Sequence, residues 1–302
     1  MLPSVTVLSV AALGLLGLGG AALCLLALVP RTAKVARDAL PILGTEILIV
    51  GTAVAAFWLG GWVLLLALGL MAIRVIYEAE TVSALSQPEA PKWRVLLSAV
   101  AFGALPLLWS QQDVPFWIFL LVPPAFVIGL ALARRILPAD YAARLDPIGL
   151  AVFPLSILWI FVIAGAREGF APWLLLAFLF VETFDSYALL GGKFFGRTKA
   201  FPTLSPNKTI EGLAAGTLML MATAAVGALV LGAPVWPAIG LALLTMPLAI
   251  AGDLLASRIK RRAGVKDYPA ILPRQGGLFD ITDAWIVTGA GFAVLAYLTG
   301  AI

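Results

Sequence analysis

The sequence predicts an all-α fold: a polytopic bundle of about ten transmembrane helices with both termini on the non-cytoplasmic side. Hydrophobic residues fill 62% of the 302 positions and charged residues only 12%, against about 45–50% and about 25% in soluble domains. The apolar excess falls in runs of about 18 to 22 residues, each long enough to cross a hydrocarbon core of about 30 Å as a helix. Between the runs, basic residues collect in alternate loops, so that nineteen of the twenty Lys and Arg residues fall on one side.

Breaks at charged or Pro/Gly clusters place the spans at about 4–30, 40–59, 61–77, 95–110, 115–133, 147–165, 173–191, 209–231, 237–256 and 279–299. The first run has no basic N-terminal region and is longer than the usual signal-peptide core of about 7–15 residues, so it reads as a retained helix. Cys24, the single cysteine, lies inside it. It can form neither an internal disulfide nor a thiolate metal site and reads as a small packing residue. Arg31, Lys34 and Arg37; Arg74, Lys92 and Arg94; Arg134, Arg135 and Arg144; Lys193, Arg197, Lys199 and Lys208; and the run from Arg258 to Arg274 make the basic loops, and only Arg167 lies in the other set. The positive-inside rule puts the basic set in the cytoplasm. The chain shows no internal repeat and no separate soluble domain. It divides into N-terminal spans (1–146) and a C-terminal region (147–302) whose charged cytoplasmic loops are 192–208 and 257–278.

Histidine is absent, which removes the usual general base and the commonest metal ligand. Chemistry must rest on carboxylates, lysines, arginines, hydroxyls, backbone groups and hard metal ions. A carboxylate in a span costs a few kcal/mol and calls for a partner or a function. Glu182 and Asp185 share a helical face near the cytoplasmic half of the seventh span, Asp253 lies near the cytoplasmic end of the ninth, and Asp280 and Asp283 open the tenth. Five carboxylates at one depth suit Mg²⁺, which keeps waters and bridges to substrate phosphates. The plain alternative is that these acids pair with nearby bases such as Arg258 and Lys260.

Two segments could receive phosphates. GKFFGRTKAFPTLSPNKTIEG, residues 192–212, reads as a turn around Ser205-Pro206-Asn207-Lys208-Thr209 feeding a helix, with Asn207 as cap and Glu211 in the first turn. Backbone N–H groups at such a helix start, with a lysine, make a phosphate cradle, but the spacing is not that of a Walker A loop. The stretch 252–283 crowds six basic residues between Asp253 and Asp280. Cations there can neutralise charge developing on a polyphosphate, and the same patch can hold anionic lipid headgroups.

At these residues the chain resembles the CDP-diacylglycerol synthases, or phosphatidate cytidylyltransferases. The family's C-terminal signature is met in register by Ser257, Lys260, Arg261, Gly264, Lys266, Asp267, Pro273, Gly276, Gly277, Asp280 and Asp283. Its upstream pattern is met by Asp185, Ser186, Ala188, Gly192, Lys193, Phe195 and Gly196, then by Ser205, Pro206, Lys208, Thr209, Glu211 and Gly212. The resemblance covers about residues 150–302. Gln275 stands where the family has histidine, Ile281 where it has arginine, and Tyr187 and Leu189 where it has glycine and an aromatic residue.

The resemblance implies a reaction in which the phosphate of phosphatidic acid attacks the α-phosphorus of CTP, giving CDP-diacylglycerol and pyrophosphate with Mg²⁺; a second cation such as K⁺ is left open. It implies that Asp253 and Asp280 hold metal with Asp283 in support, and that Lys260 faces the phosphates. Asp185, Lys193, Ser205, Lys208, Thr209, Arg261, Lys266, Gly276 and Gly277 are the expected substrate contacts, Ser205 and Lys208 by their position. Expected partners are CTP, phosphatidic acid and membrane lipids but no nucleic acid, with a homodimer left open. The expected location is a bacterial-type cytoplasmic membrane, with the site facing the cytoplasm. Rival readings are a CTP-using lipid kinase, a transferase on another lipid phosphate, a non-catalytic lipid- or nucleotide-binding homologue, and a transporter.

Overall fold

The computed structural model of the chain describes residues 3–29, 33–84, parts of 96–107, 114–136, 156–271 and 276–302. The described helices are α1 (Val5–Leu28), α2 (Ala33–Leu59), α3 (Gly61–Ala84), α4 (Phe116–Phe119), α5 (Val122–Ile136), α6 (Ile157–Gly165), α7 (Ala171–Phe195), α8 (Ile210–Val230), α9 (Val235–Arg262) and α10 (Leu278–Leu298). By length and composition, α3, α7, α8, α9 and α10 are each long and apolar enough to cross a membrane, and Val5–Ala21 and Leu43–Leu59 are shorter apolar stretches.

The structure departs from the sequence reading in four places. The chain is mostly helical but not all-α: β1 (Lys199–Phe201) and β2 (Ser205–Thr209) pair antiparallel between α7 and α8, with Phe201 opposite Ser205 and an irregularity toward Lys199 and Thr209. Pro206 is tolerated because a two-stranded ribbon has only edge strands, where a missing N–H need not break a ladder. Helices also outrun the hydropathy breaks. Helix α3 continues past residue 77 to Ala84 and α9 past residue 256 to Arg262, so Arg74 and the bases from Arg258 to Arg262 are helical rather than looped. The expected fifth span is divided into α4 and α5 by a turn at Leu120 and Leu121. Cys24, expected to pack, is exposed. Parts of the expected spans 95–110 and 147–165 lie outside the described residues.

Helix α10 is the hub of the bundle. It packs on α9, α7, α6 and α3, and Trp285 on it sits among the rings of Phe57, Phe161 and Phe178 at 6.0, 5.0 and 5.0 Å between centroids. The indole N–H donates to the Leu174 carbonyl at 2.9 Å, so the ring's polar edge is satisfied inside an apolar core.

Small residues let the functional helices approach. On α7 and α8, a Cβ at Gly212 would lie 2.7 Å from the Ala188 carbonyl oxygen, and one at Gly216 would lie 2.9 Å from the Ala188 Cβ. On α9 and α10, a Cβ at Gly252 would lie 2.8 Å from the Cα of Ala284. Membrane helices associate largely through such close contacts, because lipid tails are as apolar as the helices. The C-terminal ends of α7 and α9, the hairpin and the N-terminal ends of α8 and α10 thereby gather at one end of the bundle, which α3 reaches with its own C-terminal turns. Arg167 lies between α6 and α7 at their other ends, donating to the Val114 carbonyl at 2.5 Å with its guanidinium 5.2 Å from the Phe119 ring.

Candidate active site

At the gathered end, side chains from four elements meet around Lys208. Its ammonium on β2 lies 3.2 Å from Oδ2 of Asp253 on α9, each side chain 23% exposed. Asp185 on α7 and Asp283 on α10 act on the same ammonium. Burial pulls the Lys208 pKa down, but the charges of Asp185, Asp253 and Asp283 more than offset it, so the pKa lies above that of an ordinary lysine. Lys208 is therefore a cation at neutral pH, set among three acids.

The acids differ in how they are held. Asp283 is buried, and its Oδ1 accepts the Ala284 N–H at 2.6 Å. Asp253 Oδ2 is buried and takes no hydrogen bond of good geometry, despite its ion pair with Lys208. Asp185 is exposed. Glu182, one turn before it on α7, lies beside Glu46 of α2.

Asp280 belongs to a second, adjoining cluster. Its Oδ1 pairs with the Lys260 ammonium at 2.5 Å, and its Oδ2 accepts the N–H groups of Tyr268 at 2.9 Å and Gly277 at 3.0 Å. The pairing of an acid with a nearby base, the plainer alternative in the sequence, therefore holds for Asp280. Lys260 is 7% exposed and also lies 5.3 Å from the Tyr268 ring centroid. Burial first, then the charges of Asp280, Asp283 and Glu78, push the Tyr268 phenol up. Its hydroxyl thus stays protonated and donates to the Ala256 carbonyl at 3.1 Å.

Several residues expected at the substrate have a visible part in the backbone. Thr209, not Asn207, caps α8: its hydroxyl accepts the Gly212 N–H at 3.2 Å. Glu211 lies in the first turn as expected and accepts the N–H groups of Arg197 and Thr198, tying the hairpin to the helix. Gly276 has φ of +81°, and a Cβ there would lie 2.5 Å from Asp280 Oδ2. Lys193, Arg261 and Lys266 are exposed, Arg261 donating to the Val265 carbonyl at 3.0 Å, and Ser205 is half-buried. Pro273, Arg274 and Gln275 lie outside the described residues.

The sequence reading passed over Glu46, Glu78 and Tyr268 and counted Arg74 only among the cytoplasmic basic residues. The two glutamates carried a usable signal, a carboxylate within or at the end of an apolar helix, and Arg74 precedes Glu78 by four residues, the spacing of a helical ion pair.

The donor set suits a hard cation: carboxylates, with one buried Asp253 oxygen engaged by the Lys208 ammonium alone. Among the described residues no three acidic groups lie close enough to form a complete ligand cage.

The sequence pattern of the cytidylyltransferase family matches residues 43–299. The chain is 29% identical over 236 residues to the phosphatidate cytidylyltransferase of Staphylococcus aureus strain COL, covering 75% of this chain and 87% of that one. It is 41% identical over 105 residues to the phosphatidate cytidylyltransferase of Bacillus subtilis strain 168, covering 34% and 39%. It is 32% identical over 191 residues to the uncharacterized protein YnbB of Escherichia coli K12, covering 59% and 63%.

Proposed function

The chain belongs to the cytidylyltransferase family, and from that premise we propose that it joins CTP to phosphatidic acid, releasing pyrophosphate and forming CDP-diacylglycerol. It is a membrane transferase of phospholipid biosynthesis. The observation that carries the finer reading is Lys208 set among Asp185, Asp253 and Asp283, with the Lys260–Asp280 pair adjoining, at the end of the bundle where the basic residues collect. That end faces the cytoplasm of a bacterial-type membrane in this reading, with about ten spans crossing it.

A phosphate oxygen of the lipid forms a bond to the α-phosphorus of CTP while the bond from that phosphorus to the β-phosphate bridging oxygen breaks, and pyrophosphate carries away the electron pair. The attacking group is already an anion at neutral pH, so no general base is needed, in keeping with a chain that has no histidine. Lys208 supplies fixed positive charge beside the triphosphate. Lys260 adds a second cation whose direction is set by Asp280, and both are in place before charge develops on the leaving group. Asp253 and Asp283, with Asp185 nearby, would hold Mg²⁺, which when bound would supply charge neutralisation and orientation of the polyphosphate. In this assignment Asp280, whose oxygens are engaged by Lys260 and two backbone N–H groups, orients the site rather than leading its ligand set.

The test is pyrophosphate release by the purified protein given CTP, Mg²⁺ and phosphatidic acid, run with label in either the α- or the γ-phosphate of CTP. The proposal expects α-label on the lipid and γ-label in pyrophosphate. Transfer of the γ-label to lipid would make the protein a kinase, and no CTP turnover would leave a binding protein or transporter.

A further inference from the structure

The start of α10 has only half of a local cap: Asp280 accepts the Gly277 N–H, but no side chain at the cap position reaches the next N–H groups. Its first N–H groups need acceptors, and the residue that precedes it is Gly277, which has no side chain to offer. The acceptor comes instead from α3. Glu78, 0% exposed, takes the Leu278 N–H on Oε1 at 3.0 Å and the Phe279 N–H on Oε2 at 2.8 Å. Arg74, one turn earlier on α3, donates through Nε to the same Oε1 at 2.7 Å and through its guanidinium to the Pro269 carbonyl at 3.4 Å. One ion pair therefore fastens α3 both to the loop that follows α9 and to the first turn of α10. The helix dipole favours a carboxylate at that terminus as well.

Gly277 is part of the same fitting. A Cβ there would overlap Glu78 Oε2 and lie 2.6 Å from the Cβ of Tyr268. Asp280 and Asp283 follow within two turns. Asp280 accepts the Gly277 N–H, so the backbone that Glu78 grips on one side is gripped by Asp280 on the other.

We propose that Glu78, braced by Arg74, is a positioning residue that sets the height and rotation of the α10 N-terminus, and with it the placement of Asp280 and Asp283 in the site. The kinetic half of this inference rests on the proposed cytidylyl transfer. A helix displaced by about 1 Å can cost about a hundredfold in rate when it carries reacting groups, so Glu78 acts on turnover without touching substrate.

The experiment uses the full chain in detergent, wild type beside Glu78→Gln, Gly277→Ala, the double variant and Arg74→Gln. Hydrogen exchange is read without substrates in peptides spanning 277–283 and 210–230, and kcat and KM are read per folded molecule with CTP and phosphatidic acid. In Glu78→Gln the 277–283 amides should exchange at least about tenfold faster while 210–230 are unchanged, and kcat should fall about 10- to 100-fold with KM for CTP within about threefold. Gly277→Ala displaces the same carboxylate from the opposite side and should give the same pattern, with the double variant no worse than either single one. Unchanged exchange at 277–283, or faster exchange with kcat within about twofold of wild type, overturns the proposal. If neither position-78 nor position-277 variants fold, Arg74→Gln decides by the same two readings. Wild-type protein that turns over no CTP defeats the functional reading alone, because the exchange comparison still tests the clamp.

Discussion

The backbone of Gly252 in α9 lies against that of Asp283 in α10 so closely that a Cβ at position 252 would overlap the Asp283 carbonyl oxygen and lie 2.8 Å from the Cα of Ala284. This contact puts Asp253, the next residue, beside Asp283. Gly252→Ala meets backbone atoms that no rotamer change can move, so the helices must separate. Overpacking of this kind costs about 1–3 kcal/mol. The expected outcome is a lower melting temperature in detergent with a loss of CTP incorporation larger than the loss of folded protein. Activity per folded molecule equal to wild type would show that the close approach does not set the acid geometry.

Asp253 and Asp280 should respond differently to the same isosteric change. Asp253→Asn removes one anion from three acids gathered around one lysine, at an oxygen whose contact is the Lys208 ammonium 3.2 Å away. It should abolish CTP incorporation and leave the melting temperature near wild type. Asp280→Asn leaves the buried Lys260 charge without a counter-ion and turns an NH2 donor toward either that ammonium or the two backbone N–H groups. Breaking a buried pair costs about 3–5 kcal/mol, so this variant should lose both stability and activity. Paired thermal and activity measurements separate the two, and equal thermal losses would refute the division of roles.

The Lys208 pKa is raised, net of burial, by Asp185, Asp253 and Asp283. A raised folded-state pKa gives stability that is fully present below the unfolded value of about 10.4 and is lost as pH climbs through the folded value. The melting-temperature difference between wild type and Lys208→Met should therefore stay flat from pH 7 to about 10 and shrink only above that. A difference that already fades between pH 7 and 9 would mean that the acids do not hold the lysine.

Thr209 ends the hairpin and caps α8 through the Gly212 N–H. Thr209→Ala should cost about 1 kcal/mol and Thr209→Ser much less, since the hydroxyl is the working group. Equal losses in thermal unfolding would assign Thr209 to packing against Gly192 and Gly196 instead.

Much of this protein is legible in one dimension. The apolar runs that became α3, α7, α8, α9 and α10 could be read because a membrane-crossing helix must satisfy its backbone internally and present apolar side chains along its whole length. Asp253 and Asp283 could be picked out because ionised groups at membrane depth need a reason to be there, and Lys208 because a lysine beside a helix start makes a phosphate cradle. The hairpin was hidden because strands as short as Lys199–Phe201 and Ser205–Thr209 carry no usable periodicity, and hydropathy ends α3 and α9 early because polar residues on the last helical turns look like loop.

What the linear sequence determined, then, was the composition of the bundle, the end that carries charge and the acids and bases available there. Only the tertiary structure decided which acid meets which base. Lys208 answers to Asp253, Lys260 to Asp280, and the N-terminus of α10 to a glutamate 200 residues earlier in the chain. Spacing along a helix fixes which side chains share a face, but the pairing of faces depends on where glycines such as Gly212, Gly252 and Gly277 let one backbone approach another, and that is a property of the packed helices.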